Sequence, residues 1–199
     1  MPPKAKFTKE EIVEAALNIV REDGISNLTA RALGAKLGSS ARPIFTVFQN
    51  MDEVQQAVID SAKELYSTYI QKGLSEPLAF KGVGIQYILF SIHEPVLFQL
   101  LFMKEQKDIP DLPSILMLID DNFEKILLSI KDAYKLDDAS SRKLYQHLWI
   151  YTHGIAALCA TKMCRFTGEE INSMITEVFT GLLKEIKASE SQRKAGSES

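Results

Sequence analysis

Arg42 is the only basic side chain between Ser39 and Gln49. A guanidinium there can contact guanine in bidentate fashion, worth about 1–3 kcal/mol of discrimination between bases, or it can clamp a phosphate. Beside it, Pro43 offers a rigid apolar ring that can meet a thymine methyl or merely stiffen a turn. The other groups of chemical interest lie far downstream. Cys159 and Cys164 stand at i and i+5, about 140° apart around a helix, so they cannot share a metal on one face. His147 and His153 diverge similarly. No Gly-rich phosphate loop, nucleophile elbow or His-Glu-x-x-His pattern occurs. Asp120-Asp121 reads as a solvated face and Asp137-Asp138 as a cap, not as catalytic carboxylates. No enzymatic activity, metal or cofactor is expected.

The elements that must position Arg42 are helical. Thr8-Lys9-Glu10-Glu11 is a capping box, followed by Ile12, Ala15, Ala16, Ile19 and Val20 at helical spacing, with a stop at Gly24. Thr29 caps a short helix that turns Ala30, Leu33 and Leu37 inward and ends at Gly38. Ser39 or Ser40 caps a third, very short helix carrying Ile44, Val47 and Phe48. Asn50-Met51-Asp52-Glu53 opens a long helix that closes near Gly73. Prolines 77 and 95 then sit in first turns of helices near 76–92 and 95–104. Lys104 to Pro113 reads as a loop, and the proline-free remainder accommodates long helices near 114–134, 138–165 and 168–188. Asp138 is a plausible cap for the second of these, and Thr167-Gly168-Glu169-Glu170 is a capping box for the third. Strand alternation is absent. The polar end, 189–199, is expected to be disordered.

Composition agrees with a protein of this kind. The 199 residues are 46% hydrophobic and 25% charged, with a net charge of −3, which speaks against coating nucleic acid by bulk positive charge. The charge is uneven, however. Residues 1–49 hold seven basic against five acidic side chains, and three of the seven (Lys4, Lys6 and Lys9) fall in the first nine residues. The remainder holds 16 against 21. Two cysteines suggest a reducing compartment, and no stretch reaches the ~18 apolar residues of a membrane span. With no apolar signal core behind the basic N-terminus, a cytoplasmic protein without membrane association is expected.

Three short helices with Gly-bearing turns outline a helix-turn-helix, in which two helices form a platform presenting the third to the DNA major groove. The residues Phe7-Thr8, Ile12 and Ala15-Ala16, then Gly24-Ile25 and Leu28-Thr29-Ala30-Arg31-Ala32-Leu33, then Leu37-Gly38-Ser39-Ser40, Ile44-Phe45, Phe48 and Met51-Asp52-Glu53 resemble the DNA-binding domain of the TetR/AcrR family of transcriptional repressors. The resemblance implies that Thr29 caps the second helix and touches a phosphate, and that Arg31 can reach a base edge. It also places Ser40 at the start of the recognition helix, Ala41, Arg42, Pro43 and Thr46 on its exposed face, and Phe45 at the position of a usual phosphate-binding tyrosine. Three departures remove polar phosphate contacts: Phe45 lacks the hydroxyl, Val47 replaces a frequent histidine or tyrosine, and Met51 replaces a common lysine. The N–H groups opening the fourth helix and the Lys4/Lys6/Lys9 arm are the candidates to supply affinity instead.

The body is expected to sense and to dimerise. Its penultimate helix carries one apolar stripe with Tyr151, Ile155 and Leu158 and another with Trp149, Ala156, Cys159 and Met163. The last helix repeats this with Ile171, Ile175, Val178 and Leu182 against Phe179, Leu183 and Ile186. Two stripes imply burial on both sides, one against the body and one against a second copy. The dimer face is accordingly read as Tyr151, Ile155, Leu158, Ile171, Ile175, Val178 and Leu182. Trp149-Ile150-Tyr151-Thr152-His153-Gly154 resembles the Trp-x-x-x-His-Gly signature of one TetR subclass. Gly154 weakens a helix by about 1 kcal/mol against alanine unless close helix approach or a ligand needs the space.

The middle helices supply an aromatic and methionine set that includes Phe80, Tyr87, Phe90, Phe98, Phe102, Met103 and Met117. By the family resemblance, part of this set encloses an effector, read here as Phe90, His93, Phe98, Phe102, Met117, Trp149 and His153. Gln86, Gln99 and His147 are further polar groups such a cavity could use.

The expected architecture is all-α, with about nine helices in the manner of a helix-turn-helix head on a bundle. Its domains are a DNA-binding domain at 1–50, a ligand-binding and dimerisation domain at 51–188 and a tail at 189–199. The expected partners are a palindromic double-stranded DNA operator, a second copy of the chain and a small-molecule effector that releases a repressor. The other readings are a helical small-molecule-binding protein or enzyme without DNA binding, and a DNA-binding dimer whose partner is another protein.

Overall fold

The computed structural model describes residues 6–105 and 108–197. These are helical throughout, without a strand: α1 (Lys9–Asp23), α2 (Ala30–Lys36), α3 (Met51–Leu74), α4 (Ala79–His93), α5 (Pro95–Phe102), α6 (Leu112–Ile119), α7 (Phe123–Tyr134), α8 (Asp138–Ala160) and α9 (Gly168–Ser197), with 3-10 turns at Ile25–Asn27 and Ile44–Thr46. The all-α class and the helix number expected from the sequence are both observed.

Contacts divide the chain into two compact units, with the division falling inside α3. The first comprises the chain through Tyr66 together with Glu94–Lys104. Its α1 closes the expected capping box: Thr8 Oγ1 accepts from the Glu11 N–H at 3.2 Å, and Glu11 Oε2 accepts from the Thr8 N–H at 2.8 Å. The apolar stripe Ile12, Ala16, Ile19 and Val20 is buried, as are Leu28, Leu33, Ile44, Phe48, Val54 and Val58. Pro95 occupies the first turn of α5, where it forfeits no hydrogen bond. Arg21 grips Glu94 at the head of that helix with two bonds of 2.9 Å, tying α5 to α1.

The second unit comprises Ser67–His93 and the chain from Glu105 onward. In it α8 lies against α4, α7, α9 and α6, so it is the central helix of the bundle. Tyr145 holds that centre, edge-on to Phe80 at 5.8 Å and stacked on Phe123 at 5.6 Å. The Thr167–Glu170 capping box forms at the start of α9.

Three local expectations give way to tertiary interactions. The helix expected over 114–134 is two helices, α6 and α7, separated at Asp120-Asp121-Asn122. There Asp120 accepts from the Asn122 N–H at 2.8 Å, and Asn122 Oδ1 accepts from Gln71 at 2.7 Å. Asp120 is thus 5% exposed, not part of a solvated face; only Asp121 is exposed. The cap of α8 is Asp137, accepting from the Ser140 N–H at 2.7 Å, whereas Asp138 pairs with Lys131 and Arg142. Finally, α9 continues to Ser197 through the polar segment read as disordered. Glu190 is buried and Arg193 donates to Ser140 Oγ at 3.0 Å.

Candidate functional site

The first group of candidate residues surrounds the turn after α2. Thr29 caps α2, its Oγ1 accepting from the Ala32 N–H at 3.1 Å, which leaves its hydroxyl proton free to donate outward. Gly38, at φ 62°, ends the helix in the left-handed region. The chain then folds back so tightly that a Cβ on the buried Gly34 would lie 2.9 Å from Ala41 N and from Ser40 C. Gly34 is therefore the seat on which the recognition segment rests. Ile44 and Phe48, both buried, hold that segment from the other end.

The segment is not the α-helix expected from its sequence. Residues 41–47 form a bend and one 3-10 turn, with Ile44 N–H bonded to Ala41 O at 3.1 Å and Thr46 N–H to Pro43 O at 3.2 Å. Pro43 contributes to this: its ring disfavours helical backbone at the preceding Arg42, and it offers no N–H to a cap at Ser40. Ser40, Arg42, Phe45 and Thr46 remain exposed, and Ala41 and Pro43 are half-buried. Ala41 turns its backbone toward Gly34, a correction to its place on a fully exposed face. The Thr46 hydroxyl donates to Pro43 O at 2.6 Å, so that proton is not available to a phosphate.

The cations sort clearly. Lys36 pairs with Glu22 at 3.0 Å and Arg21 with Glu94. Arg31 and Arg42 are exposed and have no such partner among the described residues. Lys6 donates to Ser39 Oγ at 3.1 Å, which brings the N-terminal arm to the recognition turn. Lys9 stands over the Phe48 ring. Lys4 lies outside the described residues. Asn50 Oδ1 accepts from the Glu53 N–H at 2.9 Å, capping α3 as expected.

The proposed effector residues separate. Phe98 and Phe102 belong to the first unit, tilted against one another at 5.2 Å, and Phe102 meets Tyr66 edge-on at 4.9 Å. Phe90, His93, Met117, Trp149 and His153 belong to the second. Within that unit Phe90 is fully buried against Tyr69. His93 is exposed and shares a 3.2 Å hydrogen bond with the Tyr69 hydroxyl. Met117 is 58% exposed.

Trp149 and His153 do come together, stacked at 5.1 Å, and His153 Nδ1 meets the Tyr87 hydroxyl at 2.9 Å. Burial lowers the affinity of His153 for a proton and pushes the Tyr87 phenol well above its usual range, a shift that the Asp120 carboxylate reinforces. Both shifts favour the neutral form of the side chain. The Trp149 N–H lies near enough to Tyr87 to oppose its shift but completes no hydrogen bond, and is a buried donor without a partner among the described residues. Tyr87 and Asp120 were missed as site residues. Tyr87 is 66 positions from His153, a distance no periodicity bridges.

The dimer residues also divide. Ile155, Ile171 and Ile175 are 4%, 4% and 3% exposed, which corrects their assignment: they are core of the second unit itself. Tyr151, Val178 and Leu182 are half-buried, and Leu158 is exposed. The uncovered apolar face of α8 instead carries Ile150, 51% exposed, and Leu158, 36% exposed. Gly154 lies between them, exposed, and a Cβ there would meet nothing within 4 Å.

Among the described residues no cluster of three potential metal ligands exists, and no single helix is long and apolar enough to cross a membrane. No family model matches the sequence, and no curated protein does. The structure is similar to that of a TetR variant from Acinetobacter baumannii AYE in complex with minocycline, at 13% identity and a TM-score of 0.55, covering 92% of this chain and 98% of that one. The fold of the chain is TetR-like.

Proposed function

We propose that the chain is a transcriptional repressor that binds a palindromic DNA operator as a homodimer and is released by a small molecule. The observation that carries this reading is the exposed Arg42, without an ion-pair partner among the described residues, on a turn seated at Gly34, with Arg31 exposed at the start of α2. Thr29, Lys6 and the α3 N-terminus supply phosphate donors. The DNA-reading part is residues 1–50, and the sensing and dimerising part is 51–188. The minocycline held by the structural neighbour supports a small-molecule effector here. The cluster of Tyr87, Trp149 and His153 is its site, with the free indole N–H available to an acceptor on the ligand. Ligand binding favours a spacing of the two recognition segments that no longer matches successive major grooves, ~34 Å apart.

One observation favours a second reading, a ligand-binding protein without DNA affinity: the recognition segment is a single 3-10 turn. Fluorescence-anisotropy titration with the DNA flanking the gene, at low and moderate salt, separates the two. Repression predicts a saturable complex, and Arg42→Ala weakens preference at one base pair per half-site by about 1–3 kcal/mol. Absence of binding at low salt sinks the repressor reading. A uniform loss across sequences in Arg42→Ala reassigns Arg42 to phosphate.

A further inference from the structure

Gln86 is 7% exposed on α4, yet its side-chain amide makes no hydrogen bond among the described residues. Several other buried polar groups of the same unit are tied: Ser91 to Ile88 O, Thr152 to Leu148 O, Asn122 to Gln71, whereas the Ser141 hydroxyl is not. An amide carries two donors and an acceptor. That of Gln86 is not among the fully buried unpaired groups of the described residues, which are Ser141 Oγ and Trp149 Nε1, so it keeps contact with solvent on a side chain otherwise buried. Gln86 lines a groove of about 390 Å³ at the start of α4, within the usual volume of small-ligand sites.

The groove is built by the local chain path. Gly82 abuts the end of α3 so closely that a Cβ would lie 2.4 Å from Gly73 O. That contact fixes the 75–78 turn, whose Pro77 and Leu78 form an apolar wall with Ile85, while Asn172 of α9 stands among the lining residues. Leu78 is 55% exposed. Glu76 and Lys81 also line the groove and carry opposite charges, so their fields largely cancel for a charged ligand.

We propose that this groove binds a small uncharged carboxamide or lactam whose polar group pairs with Gln86 and whose aliphatic part lies on Leu78, Pro77 and Ile85. An amide is the natural complement because it offers a donor and an acceptor at once, as glutamine does. A carboxylate would satisfy only the Gln86 N–H₂, and an ammonium only its oxygen. The groove is separate from the Tyr87–His153 cluster in its lining residues and does not depend on DNA binding.

The test uses the full chain, uniformly ¹⁵N-labelled, titrated with hexanamide, hexanoate and hexylammonium. Hexanamide is expected to give saturable shifts of the Gln86 side-chain N–H₂ resonances and of the Gly82 and Ile85 backbone amides. It should bind about tenfold more tightly than either charged analogue, a difference of about 1.4 kcal/mol. Gln86→Leu should abolish this preference. Leu78→Ser, at an exposed position, should weaken all three ligands alike and guards against a folding defect in the first variant. Absence of saturable hexanamide binding overturns the proposal. So does equal or tighter binding of hexanoate or hexylammonium, or a preference that survives Gln86→Leu.

Discussion

At the scale of single residues, His153 exerts the most readable control. Burial depresses its proton affinity below the ordinary value of 6.5. The unfolded chain thus takes up a proton near that pH which the folded chain refuses, so stability is full above pH 6.5 and falls as the pH drops beneath it. Chemical denaturation at about pH 7.5 and about pH 5.5 should show a larger loss for the wild type than for His153→Gln, since glutamine can still bond Tyr87 but does not titrate there. Equal losses would place the acid sensitivity elsewhere. Neutral Tyr87 makes the same point from the other side: with its phenol held protonated, it can donate to His153 Nδ1 and still accept from a neighbour.

Among the elements, the recognition segment shows how one residue sets local geometry. Pro43 withholds the N–H that a cap at Ser40 would use, and the chain closes i to i−3 bonds instead. Pro43→Ala restores that donor. It should convert 41–47 toward α-helix, visible as helical Cα chemical shifts and slower amide exchange at Thr46 and Val47, with altered operator affinity. Retention of the 3-10 pattern would assign the geometry to the anchors Ile44 and Phe48.

The same contrast explains what was legible in advance. Capping boxes at Thr8 and Thr167 and the cap at Thr29 are local patterns, and each forms as written. The break between α6 and α7 depends on Gln71 and Ser67, more than fifty positions away along the chain from Asn122. Helical periodicity runs straight through it. Likewise, two apolar stripes on α8 and α9 revealed double burial, but which stripe the monomer covers itself is decided by packing that periodicity does not encode. The three isoleucines Ile155, Ile171 and Ile175 fell on the wrong side for that reason.

At the level of the whole molecule, the exposed α8 face argues for a second copy. Gly154 is flanked by exposed Ile150 and Leu158, with open space where its side chain would be. The monomer alone gains nothing from a glycine there. Gly154→Ala should therefore stabilise an isolated monomer by about 1 kcal/mol while weakening self-association, as measured by thermal melting beside sedimentation equilibrium. Greater stability with unchanged association would move the dimer face elsewhere. Charge pairing in the first unit carries a last consequence. Arg21 and Lys36 are neutralised within the chain by Glu94 and Glu22, so they displace few counterions from a DNA duplex. Fewer released ions mean a shallower dependence of operator affinity on salt, and less of the nonspecific, sliding mode of binding that such release drives. On the proposed repressor reading, such a head is expected to find its operator less by attraction to any phosphate backbone than by the fit of two sparse contact sets, engaged together, to one sequence.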